Sequence, residues 1–156
     1  MNLLISIIIP CYNSERFIAP TVEMLIRQDI SDCELILVND GSKDNTLSIL
    51  QQYEATNENI RVIDQPNQGV SVARNNGMLA ARGKYIYFLD SDDMLTEGTI
   101  SHFKQVITEY SGCQMFLFGY EMRRNNATYK SYVFPQFDRL TFSGRILQYN
   151  FLPKKL

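Results

Sequence analysis

The chain has 156 residues, of which 45% are hydrophobic, 12% aromatic and 21% charged, with a formal net charge of -2. That is one domain's worth of material with ample apolar matter for a buried core, which excludes a disordered or fibrous protein. The slightly negative balance argues against nucleic acid as a partner, because phosphate recognition needs a basic footprint. Cys11, Cys33 and Cys113 are odd in number and share no paired spacing, so neither a disulfide framework nor a zinc site is expected, and the reading is a reducing, cytoplasmic compartment.

Leu3 to Ile9 is a near-continuous aliphatic run, as expected of a central parallel strand buried on both faces, and Pro10 ends it. The run lacks a basic leader and is too short for a signal-peptide core or a membrane span. No transmembrane segment is expected, and any membrane association would be peripheral. Cys11-Tyr12-Asn13-Ser14 is a polar loop, with Ser14 capping a helix whose apolar positions are Ile18, Val22, Leu25 and Ile26. Pro20 sits early in that pattern and places the helix start near Ala19.

Glu34 to Asn39 is a second buried strand, and Asp40-Gly41-Ser42 is a tight turn. Asp44 caps the next helix, which turns Leu47, Leu50 and Tyr53 inward. Ile60 to Ile63 is a short strand, Gln65 to Gly69 a loop, and Val70 to Ala81 a helix whose small residues let it lie close to a sheet.

Lys84 to Leu89 is a fourth strand that runs straight into Asp90-Ser91-Asp92-Asp93. Carboxylates at spacing i, i+2 where a strand stops repel one another unless a hard cation sits between them, and oxygen ligands of this kind suit Mg²⁺ or Mn²⁺. The bland reading is a turn with helix caps, Asp93 or Thr96 serving the next helix. That helix spans Thr96 to Tyr110, with Ile100, Phe103, Ile107 and Tyr110 on one stripe, and His102 lies off it as a solvated side chain. Cys113 to Tyr120 is a further strand, Thr128 to Phe134 an extended piece, and Thr141 to Phe151 a helix before a basic end.

Strands alternating with helices in this rhythm specify an α/β fold, a mostly parallel, Rossmann-like sheet with helices on both faces. In such sheets ligands bind beyond the carboxyl ends of the strands, where strand order reverses. The turns carrying Tyr12-Asn13, Asp40-Gly41-Ser42 and Asp90-Ser91-Asp92 are therefore expected on one rim.

Four ordered blocks, Ser6 to Asn13, Val38 to Thr46, Asn67 to Asn75 and Leu89 to Asp93, resemble the family-2 glycosyltransferases of the GT-A nucleotide-sugar fold. The likeness is close over residues 3–110 and generic afterwards. By this resemblance the chain is a single GT-A-like domain, 1–156, using a nucleotide-diphosphate sugar, a UDP-sugar, as donor and a saccharide or lipid-linked molecule as acceptor. Pro10, Tyr12, Asn13 and Glu15 would line the base and ribose pocket, and Asp40 would accept a hydrogen bond from the uracil imide. Arg74 would approach the diphosphate or the nucleotide, and Gly69 would let backbone come near the ligand; Lys43 is solvated. Asp92 would ligate Mn²⁺ or Mg²⁺ directly, with Asp90 toward the ribose and the metal's water shell and Ser91 between them. Family members of this type invert the anomeric centre with a separate carboxylate as base, well downstream of the metal motif. Only Glu121 and Asp138 follow Tyr110, neither in the context of that base, so no base is assigned and 111–156 reads as the incomplete start of the acceptor half of a truncated or excised chain.

The rival reading is a non-catalytic nucleotide-sugar-binding module. A nucleotidyltransferase and a dinucleotide oxidoreductase both fit poorly, since Cys11-Tyr12-Asn13-Ser14 holds no glycine. The apolar 111–120 stretch gives an expectation of self-association into a homo-oligomer.

Overall fold

The computed structural model of the chain describes residues 3–124 and 127–132. The expected helix from Thr141 to Phe151, the basic end, Phe134 and Asp138 lie outside them. Two compact units are present, Met1–Ser111 and Gly112–Leu156.

The first unit is built on four parallel strands, β1 (Ile5–Cys11), β2 (Cys33–Asp40), β3 (Ile60–Gln65) and β4 (Tyr85–Phe88), in the order β3-β2-β1-β4. Every residue of β1 and β2 is buried, which is why both read as continuous apolar runs. Their register pairs Ile8 with Ile36 and Pro10 with Val38, so these side chains share one face of the sheet, and Ile7, Ile9, Leu35 and Leu37 fill the other. Each such Ile or Leu contributes about 1.5–3 kcal/mol of burial.

The strand does not stop at Pro10 as expected but continues to Cys11. Leu89 N–H donates to the Ile8 carbonyl, so Pro10, of the same parity, turns its missing N–H toward the side where β4 has already ended at Phe88. No ladder bond is lost.

Helices α1 (Ile18–Ile26), α2 (Thr46–Thr56) and α3 (Val70–Ala80) make the crossovers, and α4 (Thr99–Glu109) follows β4. α1 buries Ile18, Thr21, Val22 and Leu25; Pro20 is tolerated in its first turn, where backbone N–H groups have no intrahelical acceptor. α2 packs on β2 and β3, and α3 packs on β1 and β2. α3 meets the Ile8, Ile36 and Val38 face through Ala73, and a Cβ on Gly77 would stand 2.4 Å from Ile8 Cγ2. α4 starts at Thr99, not Thr96, because Gly98 takes a left-handed φ of 78°. Its first amides gain an acceptor from outside, Ile100 N–H donating to Gln28 Oε1 at 3.2 Å. Ile100, Phe103 and Ile107 are buried as expected, whereas Tyr110 falls past the helix end and is 49% exposed.

The second unit holds an antiparallel hairpin, β5 (Tyr120–Arg124) and β6 (Ala127–Tyr132), whose Tyr120 and Tyr132 rings stack with centroids 4.5 Å apart. The strand expected over Cys113 to Tyr120 does not form: residues 113–119 are irregular and extended pairing begins only at Tyr120. An apolar run becomes a strand only with a ladder partner and covered faces. Met115 and Leu117 are each 45% exposed, and no described strand pairs with that segment.

Candidate functional site

Because all four strands run the same way, the segments after β1, β2, β3 and β4 open on one rim. The chain passes outward from β1 through β2 to β3 and then returns to place β4 on the other side of β1, so the strand order reverses between β1 and β4. Asp40 at the end of β2 and Asp92 just past β4 flank that point on the same edge.

The loop after β1 is tied to the loop after β2 by direct hydrogen bonds. Asn13, at φ 50°, accepts Lys43 N–H on Oδ1 at 2.8 Å, and its own N–H donates to Ser42 Oγ at 3.0 Å. Asparagine tolerates this left-handed backbone better than most residues. Glu15 turns its carboxylate to Asn45, accepting the backbone N–H at 3.0 Å and the side-chain amide at 3.2 Å. Asp44 accepts Thr46 N–H at 3.0 Å, so it serves the start of α2 from one residue before the Asn45 cap position, and it also accepts Glu15 N–H at 3.2 Å. Pro10 is buried, while Tyr12, 48% exposed, stands at the rim.

Asp40 is 3% exposed and fully engaged with the next loop. Its Oδ1 accepts Gln65 Nε2 and Gln68 N–H, each at 2.8 Å, and its Oδ2 accepts Gly69 N–H at 2.8 Å. Three donors satisfy the desolvated carboxylate, and one lone pair of Oδ2 remains. Gln65 is itself fixed by Asn76 of α3, whose side-chain amide donates to Gln65 Oε1 at 2.6 Å. Gly69, at φ 88°, takes a backbone conformation that L side chains rarely adopt, while the space beside its Cα is open.

The acidic loop is held from two sides. Arg74 of α3 forms an ion pair with Asp90 Oδ1, and its guanidinium lies 5.9 Å from the Phe88 ring centre. Arg74 Nε is buried without an acceptor among the described residues, so the guanidinium keeps unused donor capacity. Thr21 of α1 and Ser14 of the segment before it reach Ser91, as detailed below. Asp90 and Asp92 are exposed. Burial, then the neighbouring Asp90 and Asp92 charges, raise the proton affinity of Asp93, and burial with Asp93 and Asp90 does the same to Tyr87 beneath the loop. Negative charge is thus concentrated here. Among the described residues no three His, Cys, Asp or Glu side chains converge to cage a metal. Two carboxylates short of a cage are the donor set that Mg²⁺ or Mn²⁺ uses when substrate phosphates and water complete the shell, so Asp90 and Asp92 fit such an ion.

The sequence reading missed Ser14 Oγ, Thr21, Gln65 and Asn76 as parts of this rim. Thr21 and Asn76 are spaced as ordinary helix residues, and nothing in a linear pattern tells which loop they face. Lys43 and His102 are both exposed, and Lys43 joins the rim through its backbone N–H.

The family model for glycosyl transferase family 2 matches residues 6–152. The chain belongs to glycosyl transferase family 2. Among family relatives, a protein described as the uncharacterized glycosyltransferase EpsJ of Bacillus subtilis is 41% identical over 135 residues, covering 86% of this chain and 38% of that protein. Chondroitin synthase of Escherichia coli is 45% identical over 92 residues, 59% of this chain and 13% of the enzyme. The crystal structure of S. aureus TarS 1-349 in complex with UDP-GlcNAc superposes with a TM-score of 0.65 at 32% identity, covering 70% of this chain and 32% of that one. The fold is the GT-A fold of that structure. The chain therefore spans well under half of each of these relatives. No helix among the described residues is long and apolar enough to cross a membrane.

Proposed function

We propose that this chain is the donor-binding portion of a metal-dependent glycosyltransferase that takes a UDP-sugar and passes the sugar to a saccharide or lipid-linked acceptor. The observation that carries the reading is the convergence of Tyr12-Asn13, Asp40 and Asp90-Ser91-Asp92 on one rim at the strand-order reversal, in a chain 32% identical to a TarS fragment crystallised with UDP-GlcNAc and with UDP.

In this reading Pro10, Tyr12 and Asn13 wall the base and ribose pocket, and Glu15 shapes it by tying the first two loops together. Asp40 offers its remaining Oδ2 lone pair to the uracil imide N–H, while its other contacts forbid it to turn away. Gly69 lets backbone approach the diphosphate and Arg74 pairs with a phosphate oxygen. Asp92 would hold Mn²⁺ or Mg²⁺ with Asp90 beside it, and an ion held there would supply Lewis-acid stabilisation to the leaving diphosphate. In the transfer itself an acceptor oxygen bonds to the anomeric carbon, the bond from that carbon to the diphosphate oxygen breaks with its electron pair, and the acceptor proton passes to a base.

Glu121 is a poor candidate for that base. Arg123 and Thr128 hold its carboxylate, and these hydrogen bonds push its proton affinity below the ordinary range. This favours a second reading, a nucleotide-sugar-binding module that does not turn over alone, and transfer or donor hydrolysis by the isolated chain would exclude it. The buried, unbridged thiols of Cys11 and Cys33 suit a reducing cytoplasmic setting. Calorimetric titration with UDP, GDP and CMP, with and without Mn²⁺, tests the main proposal. UDP is expected to bind best and more tightly with metal, and Asp92→Ala is expected to erase the metal effect. Equal, metal-blind binding of all three would sink it.

A further inference from the structure

Thr21 lies on α1, is 1% exposed, and points its hydroxyl into the acidic loop. Its Oγ1 stands 2.9 Å from the Ser91 carbonyl oxygen, 3.4 Å from that of Asp93 and 3.1 Å from that of Phe17 in its own helix. One hydroxyl carries one proton, and the shortest of the three contacts crosses to Ser91. Ser14, 4% exposed, meets the same residue from the other loop, Ser14 Oγ to Ser91 Oγ at 2.8 Å. Ser14 N–H in turn donates to Thr46 Oγ1 at 2.7 Å at the start of α2. Ser91, between Asp90 and Asp92, is thereby fastened by its backbone and its side chain to two buried hydroxyls, one on α1 and one on the β1–α1 connection.

A four-residue turn with exposed carboxylates has little packing of its own. Asp90, Asp92 and Asp93 repel one another, and that repulsion favours splaying the loop. The internal bond that closes it is a single one, Asp93 N–H to the Asp90 carbonyl at 3.0 Å. What holds the two acids at fixed spacing must come from outside the loop: Arg74 grips the Asp90 side chain, and the two hydroxyls grip Ser91 between the acids.

We propose that Thr21, assisted by Ser14, is a positioning residue for the metal: it fixes Ser91 so that Asp90 and Asp92 are presented at ligating distance without touching metal or nucleotide itself. The inference rests on the donor-site reading above for its metal, but the clamp is a property of the chain alone. Groups that orient metal ligands from behind alter metal affinity by about 10–100-fold.

Two measurements on the 156-residue chain separate the possibilities. In the first, hydrogen exchange of the Asp93 amide, which donates to the Asp90 carbonyl, is followed without nucleotide or metal in wild type, Thr21→Val and Ser14→Ala. Exchange is expected to rise at least about tenfold in Thr21→Val and less in Ser14→Ala, with protection of β1 and β2 amides retained. In the second, UDP is titrated at several Mn²⁺ concentrations. The Mn²⁺ concentration giving half the affinity gain should rise about tenfold in Thr21→Val and return toward wild type in Thr21→Ser, while UDP affinity in EDTA stays within about twofold. Unchanged exchange in both variants overturns the clamp whatever binds. Increased exchange with unchanged Mn²⁺ dependence overturns the positioning role. Wild-type UDP binding indifferent to Mn²⁺ overturns the donor-site reading and, with it, the metal as what the clamp serves. Should Thr21→Val fail to fold, Ser14→Ala carries both measurements.

Discussion

Arg74 of α3 and Asp90 of the acidic loop are joined by an ion pair that links the helix after β3 to the turn after β4 across the strand-order reversal. In the proposed donor site the guanidinium would meet a phosphate and the carboxylate the ribose and the ion's shell. A nucleotide with its cation offers each a new partner, and both side chains are exposed enough to exchange. Arg74→Ala is expected to weaken UDP binding in Mn²⁺ by about ten- to a hundredfold, the range of one charge-assisted contact. Arg74→Lys should recover only part of it, because an ammonium lacks the planar fork. Calorimetry on the three proteins reads this directly.

Asp40→Asn keeps shape and loses an acceptor. Three N–H donors converge on the carboxylate, and whichever oxygen becomes an amide nitrogen will face at least one of them, leaving buried donors opposed. The cost should be about 2–3 kcal/mol, read from the urea midpoint, and the Gln65 to Gly69 loop should lose exchange protection first.

Burial pushes the thiols of Cys11 and Cys33 up to about 12, for Cys33 with the Asp32 charge adding to it. At pH 8 only about one thiol in ten thousand would be ionised at either position, and both are shut from solvent. Iodoacetamide should therefore modify Cys113, which is partly exposed, and spare the other two until denaturant is added. Mass spectrometry of tryptic peptides distinguishes the three.

Asp29 is held down to about 2, first by the Ser31 hydroxyl and then by Lys104. A depressed carboxylate favours the folded chain above the ordinary aspartate value and loses that preference as pH falls through the folded one, so the window lies between about pH 4 and pH 2. An NMR titration of the Asp29 carboxyl carbon should report its midpoint near that low value, and Ser31→Ala should move it upward.

β1 and β2 were legible because a strand buried on both faces reads as a nearly continuous apolar run, and the turns after them because Asn, Asp and Gly relieve the chain where it reverses. Alternation of strand and helix then forces the turns to a common rim, since a parallel sheet puts all carboxyl ends together. The run from Cys113 to Tyr120 shows the limit of this logic. Its apolarity suggested a strand, but hydrophobicity says only that a segment gains by burial, not that a ladder partner exists. Tyr110 failed likewise, its place on the stripe depending on one more residue of helix than formed.

The amino-acid order alone determined the parallel α/β class, the family likeness and which acids stand at the rim, because these follow from local periodicity and from residue types at short spacing. Only the tertiary structure decided that Asp40 spends three of its acceptor positions on the neighbouring loop, that Arg74 meets Asp90, and that Thr21 and Ser14 grip Ser91. Those pairings join residues 16 to 77 positions apart in the chain, and which donor finds which acceptor is settled by the crossovers that carry them together.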